Sequence, residues 1–130
     1  MTNPIRKHYQ LVGDLQYYAS PYASLYVSDT DRSLYVFVRT SEYSNSFVEG
    51  LMAKVSAPIV RLYLSGKQGL TQLLQSGNPR LCALNAEQGT LSWSVPCKNI
   101  DNKIPANANA YDDDFCFEQG ELSYFLNQYQ

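Results

Sequence analysis

The densest group of chemically active side chains is a run of three aspartates, Asp112, Asp113 and Asp114. Three other carboxylates lie within about a dozen positions of it, namely Asp101, Glu118 and Glu121. Carboxylate oxygens are the ligands that Mg²⁺ and Ca²⁺ prefer, so a metal site is one hypothesis for this run. However, adjacent residues of an extended chain point in different directions, and the run lacks the alternating Asp/Asn and Gly pattern of a calcium loop. A solvated acidic turn is the simpler interpretation, and no metal ion or cofactor is predicted.

A third interpretation concerns the wider segment 111–117, which combines the three aspartates with aromatic residues. Complementary charge raises association rates and selects partners. Such a segment could therefore dock on a basic surface of another protein, or occupy a surface made for nucleic-acid phosphates. On this interpretation Asp112, Asp113 and Asp114 are partner-binding residues.

Nucleophilic catalysis needs a base beside a cysteine or serine, and His8 is the only histidine. It lies near the N-terminus, where chains often fray, so a dyad of His8 and Cys116 is a weak hypothesis. Zinc is disfavoured as well, because Cys82, Cys97 and Cys116 contain no CxxC pair. No catalytic residue is predicted, and a hydrolase-like enzyme that uses the carboxylates ranks third among the functions considered.

Eleven tyrosines supply flat amphipathic groups that can form recognition surfaces or stack on bases. Tyr17, Tyr18 and Tyr22 are predicted to contact a partner, or, together with Trp93, to line a pocket for a small ligand or nucleotide. The competing interpretation is a half-buried sheet, because tyrosine favours strands. The tyrosines are not interleaved with Lys or Arg and the net charge is −2, so nucleic acid is not predicted as a partner.

These residues are carried by a predicted β-meander over residues 16–40. Two runs rich in Leu, Val, Tyr and Phe, residues 23–28 and 33–40, flank a polar reversal at 29–32. Residues 9–18 predict a further strand, in which Gly13 marks either a bulge or a close approach of another backbone, and Ser20-Pro21 predicts the break after it. The run 33–40 is apolar on both faces, which indicates a central strand covered on both sides.

The chain then predicts a fourth strand over 47–55, weakened by Gly50, and two short helices within 57–75. Ser56 is expected to cap the first helix with its side-chain oxygen, and Gly66 to end it. The second helix, over 67–75, is expected to end at Gly77 and Pro79.

Two more strands are predicted over 80–87 and 90–96. The second has Leu91, Trp93 and Val95 alternating with polar residues, which indicates a half-buried strand. A polar loop follows over 97–110, and a short amphipathic helix is predicted over 121–130.

The predicted fold is α+β: an antiparallel sheet of five to six strands, with a short helical hairpin on one face and an irregular C-terminal segment. We expect one domain over residues 1–130, with its core in 9–96 and the polar, acidic and helical tail in 97–130. Three scattered cysteines and the lack of a long apolar run predict a cytoplasmic protein that contacts no membrane.

A set of structural motifs resembles a family of small uncharacterised bacterial accessory domains. The motifs are Tyr17-Tyr18 with Pro21, Leu25-Tyr26, Leu34-Tyr35-Val36, Val55-Ser56 leading into Arg61, and the segment from Gly69 to Leu74. The resemblance covers about residues 9–96. It implies a strand-rich α+β fold with helices after the fourth strand, and no catalytic residue.

The leading functional prediction is a non-enzymatic module that binds an unknown protein in a bacterial or phage accessory role, through an exposed aromatic sheet face or the acidic tail. The alternative is a small-ligand or nucleotide-binding domain with a tyrosine-lined pocket. Self-association into a homodimer, through an exposed strand edge and a tyrosine-rich face, is a separate hypothesis.

Overall fold

The computed structural model of the chain describes residues 8–17, 21–40, 47–85, 87–97 and 100. Within these ranges it contains six strands and two helices: β1 (Tyr9–Tyr17), β2 (Pro21–Ser28), β3 (Leu34–Arg39), β4 (Phe47–Val55), α1 (Ala57–Leu64), α2 (Leu70–Gln75), β5 (Arg80–Asn85) and β6 (Thr90–Pro96). Of the predicted tail over 97–130 the structure describes residues 97 and 100, while the acidic run, Cys116 and the helix over 121–130 lie outside the described residues.

The six strands form one antiparallel sheet in the order β1-β2-β3-β4-β5-β6, so that every strand pairs with its neighbours in sequence. Both helices lie between β4 and β5. This arrangement confirms the predicted α+β class, the strand count and the position of the helical hairpin. It also confirms β3 as a central strand, since Leu34, Val36, Phe37 and Val38 are all buried.

The two helices pack on one side of the sheet, which we call the helix face. Leu25, Val36 and Leu51 project from successive strands on this face. They form one core cluster with Val60 of α1 and Leu73 of α2. Because alternate residues of a strand point to opposite sides, the remaining residues form a second face, the inner face, described below.

The reversal between β2 and β3 forms as the polar run predicts. The Asp31 carboxylate accepts a hydrogen bond from the Ser33 amide at 3.0 Å, and the Ser28 hydroxyl accepts one from the Thr30 amide at 3.3 Å. Arg32 adopts a left-handed backbone with φ of 63°. These side-chain bonds satisfy the turn amides and so fix the register of the hairpin.

The helix boundaries follow the expected positions, with one correction. Ser56 precedes α1, but its side chain makes no capping hydrogen bond, so the predicted cap by its oxygen is wrong. Gly66 follows α1 with φ of +79°, as predicted for a left-handed stop. At α2 the Gln72 side chain accepts a hydrogen bond from the Gly69 amide at 2.6 Å, which satisfies an amide at the helix start.

Pro21 is the first residue of β2, so the break predicted at Ser20-Pro21 coincides with the start of that strand. It opposes Tyr17 at the beginning of the strand, a place where the missing amide hydrogen of proline costs little. The bulge predicted at Gly13 is present as a register shift between Leu11 and Gly13. Gly50 lies inside β4 because the Phe37 ring occupies the space of a side chain: a Cβ there would be 2.5 Å from Phe37 Cζ.

Candidate functional site

The sheet curls so that the start of β1 meets the turn between β5 and β6 on the inner face. The Tyr9 amide, at the start of β1, donates a hydrogen bond of 2.7 Å to the Gly89 carbonyl in the turn between β5 and β6. Gly89 has φ of +72°, and a Cβ there would overlap the carbonyl oxygen of Tyr9. A six-stranded sheet can make this contact only by bending into a partly closed barrel.

The curl buries the aromatic residues of the inner face. Tyr9, Tyr26 and Phe37 are 7%, 4% and 6% exposed, and they form one cluster with Met52 and other apolar residues of β4 and β5. The aromatic sheet face that the sequence predicted to be exposed is therefore buried at these positions. The reason is the contact between β1 and the β5–β6 turn, which no local pattern indicates.

At the mouth of the curl lies a cleft of about 370 Å³, which we call the tyrosine cleft. Its main lining side chains are Tyr9, Tyr35, Met52, Lys54, Arg80 and Leu91. Tyr9 and Met52 are buried at its floor, Tyr35 and Leu91 are half-buried, and Lys54 and Arg80 are exposed. Mouths of β-barrels are a frequent place for small-molecule sites.

The tyrosines of the cleft are held by edge-to-face ring packing. The rings of Tyr9 and Tyr35 have centroids 5.1 Å apart and planes at 82°. Behind them the rings of Tyr26 and Phe37 are 6.5 Å apart at 90°. This geometry is the favoured one for aromatic pairs, so the apolar wall of the cleft is preformed.

Arg80 is positioned across β5 and β6 by Ser94. Its Nε donates to the Ser94 hydroxyl at 2.7 Å, and one Nη donates to the Ser94 carbonyl at 3.2 Å. A guanidinium has five N–H donors, so three remain outside these two bonds. Arg80 makes no ion pair with any residue that the structure describes.

Lys54 lies next to Arg80 on the same face. Met52 opposes Arg80 in the sheet register, and Lys54 follows Met52 by two residues on β4, so the two cations are diagonal neighbours. Sheet geometry places such positions about 7–8 Å apart. Over the described part of the chain the Lys54 ammonium has no acidic partner, and no carboxylate lines the cleft.

Burial disfavours the charged form of two groups on the inner face, the Tyr9 phenol and the Cys82 thiol. It raises the pKa of Tyr9 to about 12, with smaller contributions from Tyr35, Cys82 and Asp31, while the Arg80 charge acts in the opposite direction. Burial likewise raises the pKa of the Cys82 thiol to about 12, again opposed by Arg80. Both groups are neutral at physiological pH even at their ordinary pKa values of 10.0 and 9.0, and burial extends that neutral range upward, so the net charge at the cleft is that of Lys54 and Arg80.

The predicted site residues are only partly placed by the structure. Tyr17 and Tyr22 belong to β1 and β2, but their side chains, like Tyr18 and the three aspartates Asp112, Asp113 and Asp114, are outside the described set. Trp93, expected in a tyrosine-lined pocket, is 38% exposed and does not line the cleft.

A register shift in β6 explains the position of Trp93. Leu91 opposes Leu84, yet Trp93 opposes Ala83, so one residue of β6 is inserted between the two pairs. Because a shift of one residue moves side chains to the other side of a sheet, Leu91 is on the inner face while Trp93 and Val95 are on the helix face. The predicted common face of these three residues is therefore wrong, and Val95 is 48% exposed rather than half-buried.

Sequence reasoning assigned neither Tyr9 nor the two cations Lys54 and Arg80 to a site, and it considered Tyr35 only as one of many tyrosines that could form a recognition surface. One signal was available, because Lys54 interrupts an otherwise apolar stretch of β4 at a position that shares a face with Met52. A cation on a face that is otherwise buried marks the rim of a cavity more often than a core position.

A second cavity of about 360 Å³ lies on the other side of Arg80. Its lining includes Gln75, Pro79 and the half-buried thiol of Cys97. Among the residues that the structure describes, no three His, Cys, Asp or Glu side chains are grouped as metal ligands would be. No helix in the described ranges has the length and apolar character to cross a membrane.

No protein-family model, no curated protein and no solved structure matches the chain. The resemblance to small bacterial accessory domains accordingly stays a prediction. The function is inferred below from the geometry of the described residues alone.

Proposed function

We propose that this domain is a small-ligand-binding module whose site is the tyrosine cleft. The observation that carries the proposal is a preformed concavity in which apolar side chains and the polar side chains of Lys54 and Arg80 converge. Ligand sites in proteins commonly combine a mostly apolar, aromatic wall with a few polar groups that fix orientation. The proposal retains the tyrosine-lined pocket expected from the sequence, but with Tyr9 and Tyr35 as its tyrosines.

The size of the cleft limits the ligand. A volume of about 370 Å³ is at the lower end of the range for small-molecule sites, so one ring system with a short substituent is the expected occupant. Tyr35 and Leu91 offer half-buried surface on opposite walls, and the Met52 thioether lies between them. These surfaces suit a flat apolar body, which would contact aromatic and sulfur atoms on entering.

The two methionines of the chain, Met1 and Met52, give a direct test. Methionine labelled with ¹³C at its methyl group gives one NMR signal from the cleft floor and one from the N-terminus. We expect members of a library of single-ring compounds to shift the Met52 signal and to leave the Met1 signal in place. A library that leaves the Met52 signal unmoved at millimolar concentrations would overturn the proposal.

A pair of variants tests the location of binding. Tyr35→Ala removes one wall of the cleft and should weaken the selected compounds about tenfold or more, because stacking and buried area are both lost. Trp93→Ala removes a larger aromatic side chain from the helix face and should leave binding unchanged. Equal effects of the two changes would show that the compounds bind elsewhere.

A second candidate function, protein binding, is favoured by a different observation. Among the described strands β6 has a neighbour on one side only, and its Trp93 and Val95 are exposed. The strand Thr-Leu-Ser-Trp-Ser-Val-Pro carries no charge, so its own copy can pair with it without repulsion between like charges. The occupant we propose is therefore β6 of a second copy, in a two-fold arrangement.

Light scattering over a concentration series tests this candidate. We expect dimer at high concentration and a shift to monomer in Val95→Lys, since pairing of β6 with its copy would then desolvate a lysine ammonium on each chain. Ser65→Lys places the same charge at an exposed position that follows α1 and belongs to neither β5 nor β6, and it should leave the dimer intact. A strict monomer of the unaltered chain at millimolar concentration would overturn the candidate.

A further inference from the structure

We infer that the tyrosine cleft is selective for an organic anion, with Lys54 and Arg80 holding a phosphate or carboxylate group while the apolar wall holds a ring. The inference rests on the proposed function of the cleft and adds the chemical class of its ligand. The observation behind it is the pair of neighbouring cations at the rim, neither of which forms an ion pair with a described residue.

The spacing of the two cations fits one oxyanion between them. Their positions are diagonal neighbours in the sheet, about 7–8 Å apart, and both side chains are long enough to reach inward from that distance. An oxyanion at their midpoint would accept bonds from the Lys54 ammonium and from the N–H groups of Arg80 that Ser94 leaves unused. Charge-assisted bonds of this kind are roughly twice as strong as neutral ones.

Arg80 is also pre-organised for such a contact. The two bonds to Ser94 hold its guanidinium against β6, so little side-chain freedom remains to be lost when an anion binds. A planar guanidinium presents paired donors that match the two oxygens of a carboxylate or phosphate. Lys54, in contrast, contributes a mobile point charge that can follow either group.

The neutral groups of the cleft restrict the ligand further. Tyr9 and Cys82, whose pKa values are raised by burial, add no negative charge beside Lys54 and Arg80 at physiological pH, so the rim of the cleft is positive. A cationic ring compound would be repelled by both rim residues. A neutral one would gain only the apolar contacts with Tyr35, Met52 and Leu91.

Three probes with the same ring separate these contributions: phenyl phosphate, benzoate and benzyl alcohol. We expect both anions to shift the Met52 methyl signal and the backbone amide signals of Lys54 and Ser94. Benzyl alcohol should bind about tenfold more weakly than either anion, or not detectably. Raising the salt concentration should weaken the anions and leave benzyl alcohol unaffected. The difference between the two anions distinguishes a phosphate site from a carboxylate site.

Charge-removing variants complete the test. Arg80→Gln and Lys54→Gln should each weaken phenyl phosphate about tenfold, while benzyl alcohol is unchanged. Lys67→Gln is the matched control, because it removes the same charge from an exposed position beyond α1, and it should change nothing. Heteronuclear NMR spectra of each variant verify that the sheet is intact.

The outcomes distinguish the inference from the proposed function. If benzyl alcohol binds at the cleft as tightly as the anions, and the Gln variants have no effect, the anion inference falls while the small-ligand function stands. If no probe of any charge shifts the Met52 signal, and the wider compound library also fails to shift it, both fall together.

Discussion

The contact between Gly89 and Tyr9 can be tested by comparing two glycines that share a backbone conformation. Gly89 and Gly66 have φ of +72° and +79°, so replacing either with alanine places a Cβ in the left-handed region at a similar cost of about 1 kcal/mol. The two positions differ in the atoms that the new Cβ would contact. At Gly66 nothing lies within 4 Å, whereas at Gly89 the new atom would overlap the Tyr9 carbonyl.

The excess cost of Gly89→Ala follows from what must move. Relieving the overlap breaks the hydrogen bond from the Tyr9 amide to Gly89, which contributes about 1 kcal/mol. It also separates the start of β1 from the turn between β5 and β6, so that water reaches the Tyr9 side chain. If about 50 Å² of its ring becomes accessible, about 1 kcal/mol of apolar burial is lost as well. We therefore expect Gly89→Ala to lower the free energy of unfolding by about 3 kcal/mol and Gly66→Ala by about 1 kcal/mol.

Urea denaturation at pH 7 measures the difference. With a slope of about 1.5 kcal/mol per molar, which is usual for a chain of this size, the two variants should differ in midpoint by roughly 1 M or more. Hydrogen exchange supplies a local readout, since the Tyr9 amide should be protected in the unaltered chain and in Gly66→Ala but exchange faster in Gly89→Ala. If the free energies of unfolding of Gly89→Ala and Gly66→Ala agree within about 0.5 kcal/mol, the contact between Tyr9 and Gly89 is refuted.

The described contacts predict three further effects on the free energy of unfolding. Because the pKa of Cys82 is about 12 in the fold against its ordinary 9.0, the unfolded chain releases the proton first as the pH rises. The contribution of the protonated Cys82 thiol to the free energy of unfolding is fully present below pH 9 and decreases above it by up to about 1.4 kcal/mol per pH unit. The Tyr9 phenol adds to this decrease above pH 10. Gly50→Ala should lower the free energy of unfolding by about 2 kcal/mol, since its Cβ would be 2.5 Å from Phe37. Gln72→Ala should lower it by about 1 kcal/mol through loss of the α2 cap.

Each of these expectations has an outcome that contradicts it. Cys82→Ala should flatten the stability profile between pH 9 and 10, so a variant profile as steep as that of the unaltered chain would exclude the thiol as the cause. Gly50→Ala should lower the free energy of unfolding by at least as much as Gly66→Ala does. A smaller loss would exclude a close contact between the new Cβ and Phe37. Gln75→Ala, at an exposed position of α2 without such a bond, should change stability by less than about 0.5 kcal/mol, and an equal loss would exclude the cap.

The sequence predicts the sheet well because its signals are local. The apolar pattern on both faces of β3 indicates a central strand, and the polar residues 29–32 indicate a reversal; each depends only on neighbours in the chain. The helices after β4 follow equally from the spacing of Leu73 and similar residues. What could not be predicted is the curl, since it depends on a single contact between Tyr9 and Gly89.

The candidate site was missed for the same physical reason. Its walls come from β1, β3, β4, β5 and β6, and they converge only once the sheet has closed. One inserted residue in β6 also moves Trp93 away from the side that alternation assigns to it, and alternation cannot indicate such an insertion. Strand periodicity places residues on faces but does not say which face becomes a cavity.

The nearest-neighbour order of the strands has a consequence for how the chain folds. Every strand pairs with the one before it, so most of the sheet can form through short loops, which favours rapid folding. The exception is the bond between Tyr9 and Gly89, which joins positions about 80 residues apart and has the largest loop-closure entropy to overcome. We expect this bond to form after the transition state, so Gly89→Ala should accelerate unfolding and leave the folding rate nearly unchanged. An open sheet would then be the last species before the native state, with its tyrosines still in water and the cleft not yet assembled.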